Sequence, residues 1–263
     1  MEFHYFLEDG FSSDQLKDLF ETLDKHSYES VLLPFGVMIG DMLVKIPSIA
    51  NDKHKLKYMF AMRPYALHPS YLAMISKSYY NMFGNRLIFN IVNGKHNVPL
   101  FDQTTSIEDR KINTEKFLKR FNEVYETHFF DKETKPIIIL SGSKPDTVKM
   151  ASEHADFSLI LLKDFIEYKG QFDIIKQNNK KQMVGMYIIP GNTEEEAKSL
   201  FDSIHDLHKE SAIYGTYDSL SRQIDDFTTD GIDAIMVLNS ALFNKNINAD
   251  DFVLKYMGVK SEK

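Results

Sequence analysis

Short apolar runs alternate along this chain with longer stretches whose apolar positions recur every three or four residues. The short runs lie at Glu2–Leu7, Ser30–Pro34, Leu56–Ala61, Leu87–Val92, Pro136–Leu140, Asp156–Leu162, Met183–Ile189 and Ile232–Leu238. They are nearly continuous in Val, Ile, Leu, Met and Phe, which predicts strands covered on both faces, as in a parallel sheet. Between the first two runs, Leu16, Leu19, Phe20 and Leu23 carry a helical period behind Ser12 or Ser13 as a cap. Further helices are expected over Asp41–Ile49, Pro69–Met82, Ser106–Thr127, Asp146–His154, Phe165–Gln177, from Thr193 onward, Asp218–Asp230 and Ala249–Tyr256. Pro69 suits a first helical turn, and Gly84 suits a helix end.

Eight alternations of strand and helix, with no linker rich in Pro, Gly or Ser, predict an α/β chain closed into a (β/α)8 barrel. One domain over residues 1–263 accounts for the whole pattern. An open doubly wound sheet is the competing architecture. No Gly-x-Gly-x-x-Gly follows an early strand, which weighs against its dinucleotide-binding form.

Composition narrows the function classes. The chain has 263 residues, 43% of them hydrophobic, enough to bury a full-sized core. No window approaches a membrane-spanning apolar run, and the first residues lack the basic-then-apolar pattern of a signal peptide. It contains no cysteine, so disulfides, thiolate metal sites and cysteine nucleophiles are excluded. The 38 acidic residues exceed the 31 basic ones, and the net charge of −7 argues against a general nucleic-acid binder. A soluble cytoplasmic protein, off the membrane and acting on a small molecule, is the expectation.

The candidate chemistry gathers at the carboxyl ends of the strands, where such folds bind ligands. The unit Lys55–Lys95 is a complete βαβ whose strands end in Arg63-Pro64 and Asn93-Gly94. Arg63 is either a cation at the mouth or the partner of an acid such as Asp41. Asn93-Gly94 is either a turn or an amide placed to bond a heterocycle. Ser141-Gly142-Ser143-Lys144 joins a strand to a helix. It offers two hydroxyls, an ammonium, a glycine that admits close approach and a helix N-terminus, the donors a phosphate needs. An ordinary capped turn would read the same way. The histidines show no metal-ligand spacing, and only His68 and His96 fall in predicted mouth loops.

Several of these pieces, in order, resemble the luciferase-like flavin-dependent monooxygenases, most closely the alkanesulfonate monooxygenase branch. Ala61-Met62-Arg63-Pro64 is similar to that branch's ALRP strand end. Gly84-Asn85-Arg86 and Phe89-Asn90-Ile91-Val92-Asn93-Gly94 are similar to its NGR turn and FNLVTG strand. Val31 to Gly36, Ser141 to Lys144 with Ala151 to Asp156, and Tyr214-Gly215-Thr216 through Asp230 to Asp233 continue the likeness. The resemblance implies a luciferase-like TIM barrel with a shortened insertion before the last helix–strand unit. It implies FMN, used as reduced FMNH2 from a separate flavin reductase, with O2 as co-substrate. A homo-oligomer, dimer or tetramer, is the associated expectation.

By the same resemblance the FMN phosphate lies beside Ser141, Gly142, Ser143 and Lys144, with Lys111 standing where the family has a phosphate-binding tyrosine. Asn93 and Gly94 fall at the flavin. Arg63, His68 and Tyr187 are the catalytic candidates, and no metal is implied. The reactive side departs from the sulfonate branch: Gly185 and Tyr187 stand in place of an arginine and a histidine. Ile39 stands for a cysteine, Leu161 for a tryptophan and about Ser240 for a tyrosine. Only Thr193–Ile213 fills the interval of a longer, arginine-bearing lid. The implied activity is therefore an FMNH2-dependent monooxygenase acting on a small organic substrate other than a simple alkanesulfonate. A non-catalytic FMN-binding flavoprotein or accessory subunit is the alternative.

Overall fold

The computed structural model describes residues 1–8, 11–35, 41–50, 54–64, 66–92, 106–127, 130–239 and 247–261. Its strands are β1 (Glu2–Phe6), β2 (Ser30–Leu33), β3 (Lys57–Met62), β4 (Leu87–Val92), β5 (Ile137–Ser141), β6 (Phe157–Leu161), β7 (Lys181–Pro190), β8 (Ala212–Gly215) and β9 (Ala234–Val237). All pairings are parallel. β1 through β7 pair in sequence, β7 pairs with β9, and β9 with β1, so eight strands close a barrel. All eight expected strands are present.

The ninth, β8, was not expected. It pairs with the upper half of β7, Tyr187 opposite Ala212, while the lower half of β7 pairs with β9. Four residues ending in Gly-Thr read as a turn, and only the long β7 gives them a partner.

Two apolar layers follow from the two covered faces. Inside the barrel, Leu32, Met59, Ile88, Ile139, Phe157, Met183, Ala234 and Met236 pack together. Outside, the alternate strand positions meet the helices. These are α1 (Ser13–Lys25), α2 (Met42–Lys45), α3 (Pro69–Phe83), α4 (Ile107–Glu126), α5 (Pro145–His154), α6 (Leu162–Glu167), α7 (Asp173–Gln177), α8 (Glu194–Ser203), α9 (Asp206–Lys209), α10 (Tyr217–Thr229) and α11 (Ala249–Ser261). α1 shows the local logic: Ser12 and Gln15 form a reciprocal capping box, and Leu16, Phe20 and Leu23 are buried. The expected helix over Phe165–Gln177 is instead α6, a 3-10 turn at Lys169–Gln171 and α7, broken around Gly170. Pro47 likewise tightens the end of the Asp41–Ile49 segment into a 3-10 turn at Ile46–Ser48. No described helix is long and apolar enough to cross a membrane.

The amino end of the barrel is closed by polar side chains. His4, 2% exposed, bonds Ser30 Oγ through Nδ1 at 2.7 Å. Glu2 lies 3.6 Å from His4 Nε2 and accepts from Lys181 Nζ at 2.8 Å. These contacts, His4 first and then Lys181, hold the Glu2 carboxyl at about 2, against the opposing effect of burial. A carboxyl depressed from 4.5 contributes stability above that value and loses it as pH falls toward about 2. Its side chain is 37% exposed, so solvent screening leaves about 1 to 2 kcal/mol. Glu2→Gln is expected to remove that difference. Urea midpoints of variant and parent should converge between pH 4.5 and 2.

Candidate functional site at the carboxyl mouth

The inward positions at the carboxyl ends of the strands are set by register. Ala61 faces Asn90 and Asn90 faces Ile139; Val92 faces Ser141 and Ser141 faces Leu159; Leu161 faces Gly185. Ser141 Oγ donates to the buried Asn90 Oδ1 at 2.6 Å, a polar edge on otherwise apolar walls. Ala61, Leu159, Leu238 and Phe6 continue the inner apolar cluster toward this end. A Cβ on Gly185 would lie 3.4 Å from Leu161 Cδ2 and 3.6 Å from Leu238 Cδ2. Where the family resemblance places an arginine, this chain therefore has a bare backbone between two leucines. Leu161 is 39% exposed at this rim.

Beyond β5 comes the turn at Gly142 to Lys144 that the sequence offers as an anion cradle. Gly142 has φ +148°, and a Cβ there would meet Thr147 Cγ2 at 2.9 Å, so the turn requires glycine. Lys144 is the N-cap of α5, no side chain caps that N-terminus, and Pro145 opens it. Ser143 is half-buried and Lys144 exposed. The N-terminus of α10, also at this end, behaves differently. Glu194 Oε1 accepts from Thr216 N at 3.3 Å and Thr216 Oγ1 at 3.1 Å, so the chain's own carboxylate occupies the start of α10. Gly215, at φ +153°, brings that turn close to Glu194. Of these two turns, the one before α5 has no side-chain cap among the described residues. Glu194→Ala should cost about 0.5 to 1 kcal/mol, read as a lower urea midpoint.

Lys111 is brought beside α5, as the resemblance implied, but its ammonium is already engaged. Nζ lies 2.8 Å from Asp146 Oδ2 and 3.6 Å from Glu108 Oε2. The hydrogen bond to Asp146, then its charge, raises the Lys111 pKa, and Lys111 lowers that of Asp146 in turn. Lys111 thus tethers α4 to the first turn of α5.

Arg63 directly follows β3 and is half-buried, with its carbonyl accepting from Ala66 N at 2.9 Å. The carboxylate of Asp41 accepts from Leu43 N at 2.9 Å and caps α2. His68 is exposed and is the N-cap of α3, its Nδ1 accepting from Ser70 N at 3.3 Å. Tyr187 is half-buried, with its Oη hydrogen-bonded to His208 Nδ1. The rings meet edge to face at 4.6 Å. Burial, and then the charge of Glu8 at the end of β1, push the Tyr187 pKa up. Ile39, Asn93, Gly94, His96 and Ser240 lie outside the described residues. Among the described residues no group of His, Asp or Glu could hold a metal ion.

Two contributors escaped the sequence. His208 falls in no predicted mouth loop, and it reaches Tyr187 only because α9 precedes β8 along the upper half of β7. Asn239 gives its amide to both backbone groups of Ile188, accepting from N at 2.8 Å and donating to O at 2.9 Å. No local pattern signals either role. Glu194 carried a partial signal, an acid in a first helical turn, but its target is another helix.

No family model matches the sequence. Among solved structures, a riboflavin lyase holding modified FMN and riboflavin superposes with TM-score 0.78 at 10% identity, over 99% of this chain and 91% of that one. A long-chain alkane monooxygenase matches with TM-score 0.76 at 12% identity, covering 99% and 91%. An F420-dependent secondary alcohol dehydrogenase, solved with an F420–acetone adduct, matches with TM-score 0.73 at 14% identity, covering 97% of each chain. At these identities the likeness is one of fold, and it extends over almost the whole chain. With eight parallel strands closed in order, the chain has the (β/α)8 barrel fold that these solved structures share.

Proposed function

We propose that this chain is an FMN-dependent oxidoreductase of the monooxygenase type. It would take reduced FMN from a separate flavin reductase, use O2 as co-substrate, and oxidise a small, largely apolar organic substrate. The observation that carries this reading is the open cradle at Gly142 to Lys144, placed beside the barrel mouth while the comparable N-terminus of α10 is filled by Glu194. The residues there fit a phosphate dianion: the Ser143 hydroxyl, the Lys144 ammonium and the uncapped start of α5 are all donors. When bound, FMN supplies the electrons and the oxygen chemistry. The protein's part is to seat the phosphate at α5 and to present the Asn90–Ser141 edge to polar ring atoms. The leucine wall around Gly185 keeps water from the reacting face. Arg63 and Tyr187 are the polar groups proposed for the substrate side. With Gly185 in place of a cation, a simple alkanesulfonate is a poor match for this mouth.

A second reading keeps the cofactor and drops the reaction: a flavin-binding or accessory subunit. The motivating observation is the same apolar rim at Gly185 and Leu161. F420 is the competing cofactor, because an F420 enzyme shares the fold. The proposal further takes residues 1–263 as one barrel domain, working in the cytoplasm as a homodimer or homotetramer.

The test is to titrate the protein with FMN, photoreduced FMN and F420, following absorption and fluorescence, and then to admit O2 and measure hydrogen peroxide. Tight binding of reduced FMN with O2 uptake and little free peroxide supports a monooxygenase. Tight binding with quantitative peroxide release supports the accessory reading. Absence of FMN binding in both redox states overturns both.

A further inference from the structure

Tyr187 stands two residues beyond Gly185 on β7, on the same inward parity, just above the Leu161 and Leu238 walls. Its hydroxyl meets the imidazole of His208, which is itself half-exposed and so has a route to solvent. The two side chains come from different elements, β7 and α9, separated by 21 positions in sequence. α9 is held over this end by two contacts to the start of α6. Ser211 Oγ accepts from Lys163 N at 3.4 Å, and Lys163 Nζ donates to Glu210 at 2.9 Å. A buried tyrosine needing only a hydrogen-bond partner could use a backbone carbonyl. Here it has a base whose protonation changes the chemistry.

We infer that Tyr187 and His208 form a proton relay for a substrate carrying a weakly acidic hydroxyl, a phenol or enol, on an apolar body. The substrate O–H passes its proton to Tyr187 Oη as the phenol proton passes to His208 Nδ1. The tyrosine ends neutral, the substrate ends as its oxyanion, and the imidazolium returns the proton to solvent through Nε2. No electrons move in this step. The charged groups around the pair lie at the end of β1, on the α9 segment and on α6. Glu8 faces Tyr187 from β1, and Asp206 and Glu210 flank His208 on its own segment, against Lys209, which is bonded to Asp206 at 3.0 Å, and Lys163, bonded to Glu210. His205, 6.0 Å from His208 ring to ring, caps α9 by accepting from Leu207 N. Burial and the Glu8 charge disfavour a standing tyrosinate, so Tyr187 transmits the proton rather than keeping a charge. The leucine walls account for the apolar body. The inference rests on the carboxyl mouth being the reaction site.

The experiment uses 4-nitrophenol as probe, at a pH below its own pKa, with the full chain and with Tyr187→Phe and His208→Gln. In the parent protein the phenolate absorption should grow with protein concentration, and the His208 imidazole nitrogens should shift to the protonated pattern by NMR. Each variant should lower the bound phenolate fraction about tenfold, one pKa unit of coupling. FMN fluorescence quenching, read in parallel, should stay unchanged in both variants. No phenolate band in the parent, or a band that survives in both variants, overturns the relay. Absence of FMN quenching in the parent with the phenolate band present would instead overturn the cofactor assignment and leave the relay standing.

Discussion

Replacing Ser143 and Lys144 together with alanine is expected to weaken FMN binding by about 30- to 100-fold. A charge-assisted bond from Lys144 contributes about 1.5 to 3 kcal/mol and a serine hydroxyl about 1 kcal/mol. Lys144 is exposed, and screening takes back part of that. What remains is about 2 to 3 kcal/mol, or the stated fold-change at 1.4 kcal/mol per decade. The affinity of the parent protein should fall with salt, and that of the double variant much less. The contrasting variant is Lys111→Ala. Because its ammonium is engaged by Asp146 and Glu108, its loss should change affinity only about two- to threefold. If Lys111→Ala proved as damaging as the double variant, the phosphate would lie against α4 and not at the start of α5. Fluorescence titration in low and moderate salt decides between them.

The largest stability effect outside the apolar core is expected at Asn239. On one edge β7 pairs with β6 and then, from Tyr187 on, with β8; on the other edge its pairing with β9 ends at Met186. At the branch the barrel ladder would leave Ile188 with unpaired backbone groups. The Asn239 side chain, 7% exposed, bonds both, extending the β9 ladder by one amide. Asn239→Leu keeps the volume but strands a buried N–H and C=O. The expected cost is about 2 to 4 kcal/mol, seen as a lower urea midpoint with unchanged slope. Because Ile188 follows Tyr187 directly, the same variant should also loosen the mouth and broaden the His208 signals. A variant as stable as the parent would show that the branch is held by the strands alone.

The strands were legible because their signal is local and repeated. In a closed parallel barrel both faces of each strand are covered, so a run such as Ile137 to Leu140 is continuously apolar and stands out from the helical period beside it. Capping was equally readable: Ser12, Ser106 and Thr193 sit where the first turn needs an acceptor, and each is used that way. Helix breaks were less so. The Phe165–Gln177 pattern stays apolar across Gly170, and only the packing of Phe165 against Phe172 shows the chain folding back. The turn at Gly142 was legible too, since a glycine between a strand and a helix marks itself by type. That Lys111 would be engaged by Asp146 was not, because the two are 35 positions apart.

The sequence by itself determined the barrel, the order of its strands, the glycine turn before α5 and the absence of thiol chemistry. These depend on residue type and on periods within a single element. The tertiary structure alone decided which of two helix N-termini takes a carboxylate of the chain, which lysine is engaged, where β7 branches, and that His208 meets Tyr187. Each of those is a contact between separate elements of the chain, set by how the barrel packs its neighbouring strands and helices. The strands β3 and β4 supply a wall of the carboxyl rim. The polar groups with which the chain would handle a substrate stand mainly on β7 and the short helix beside it.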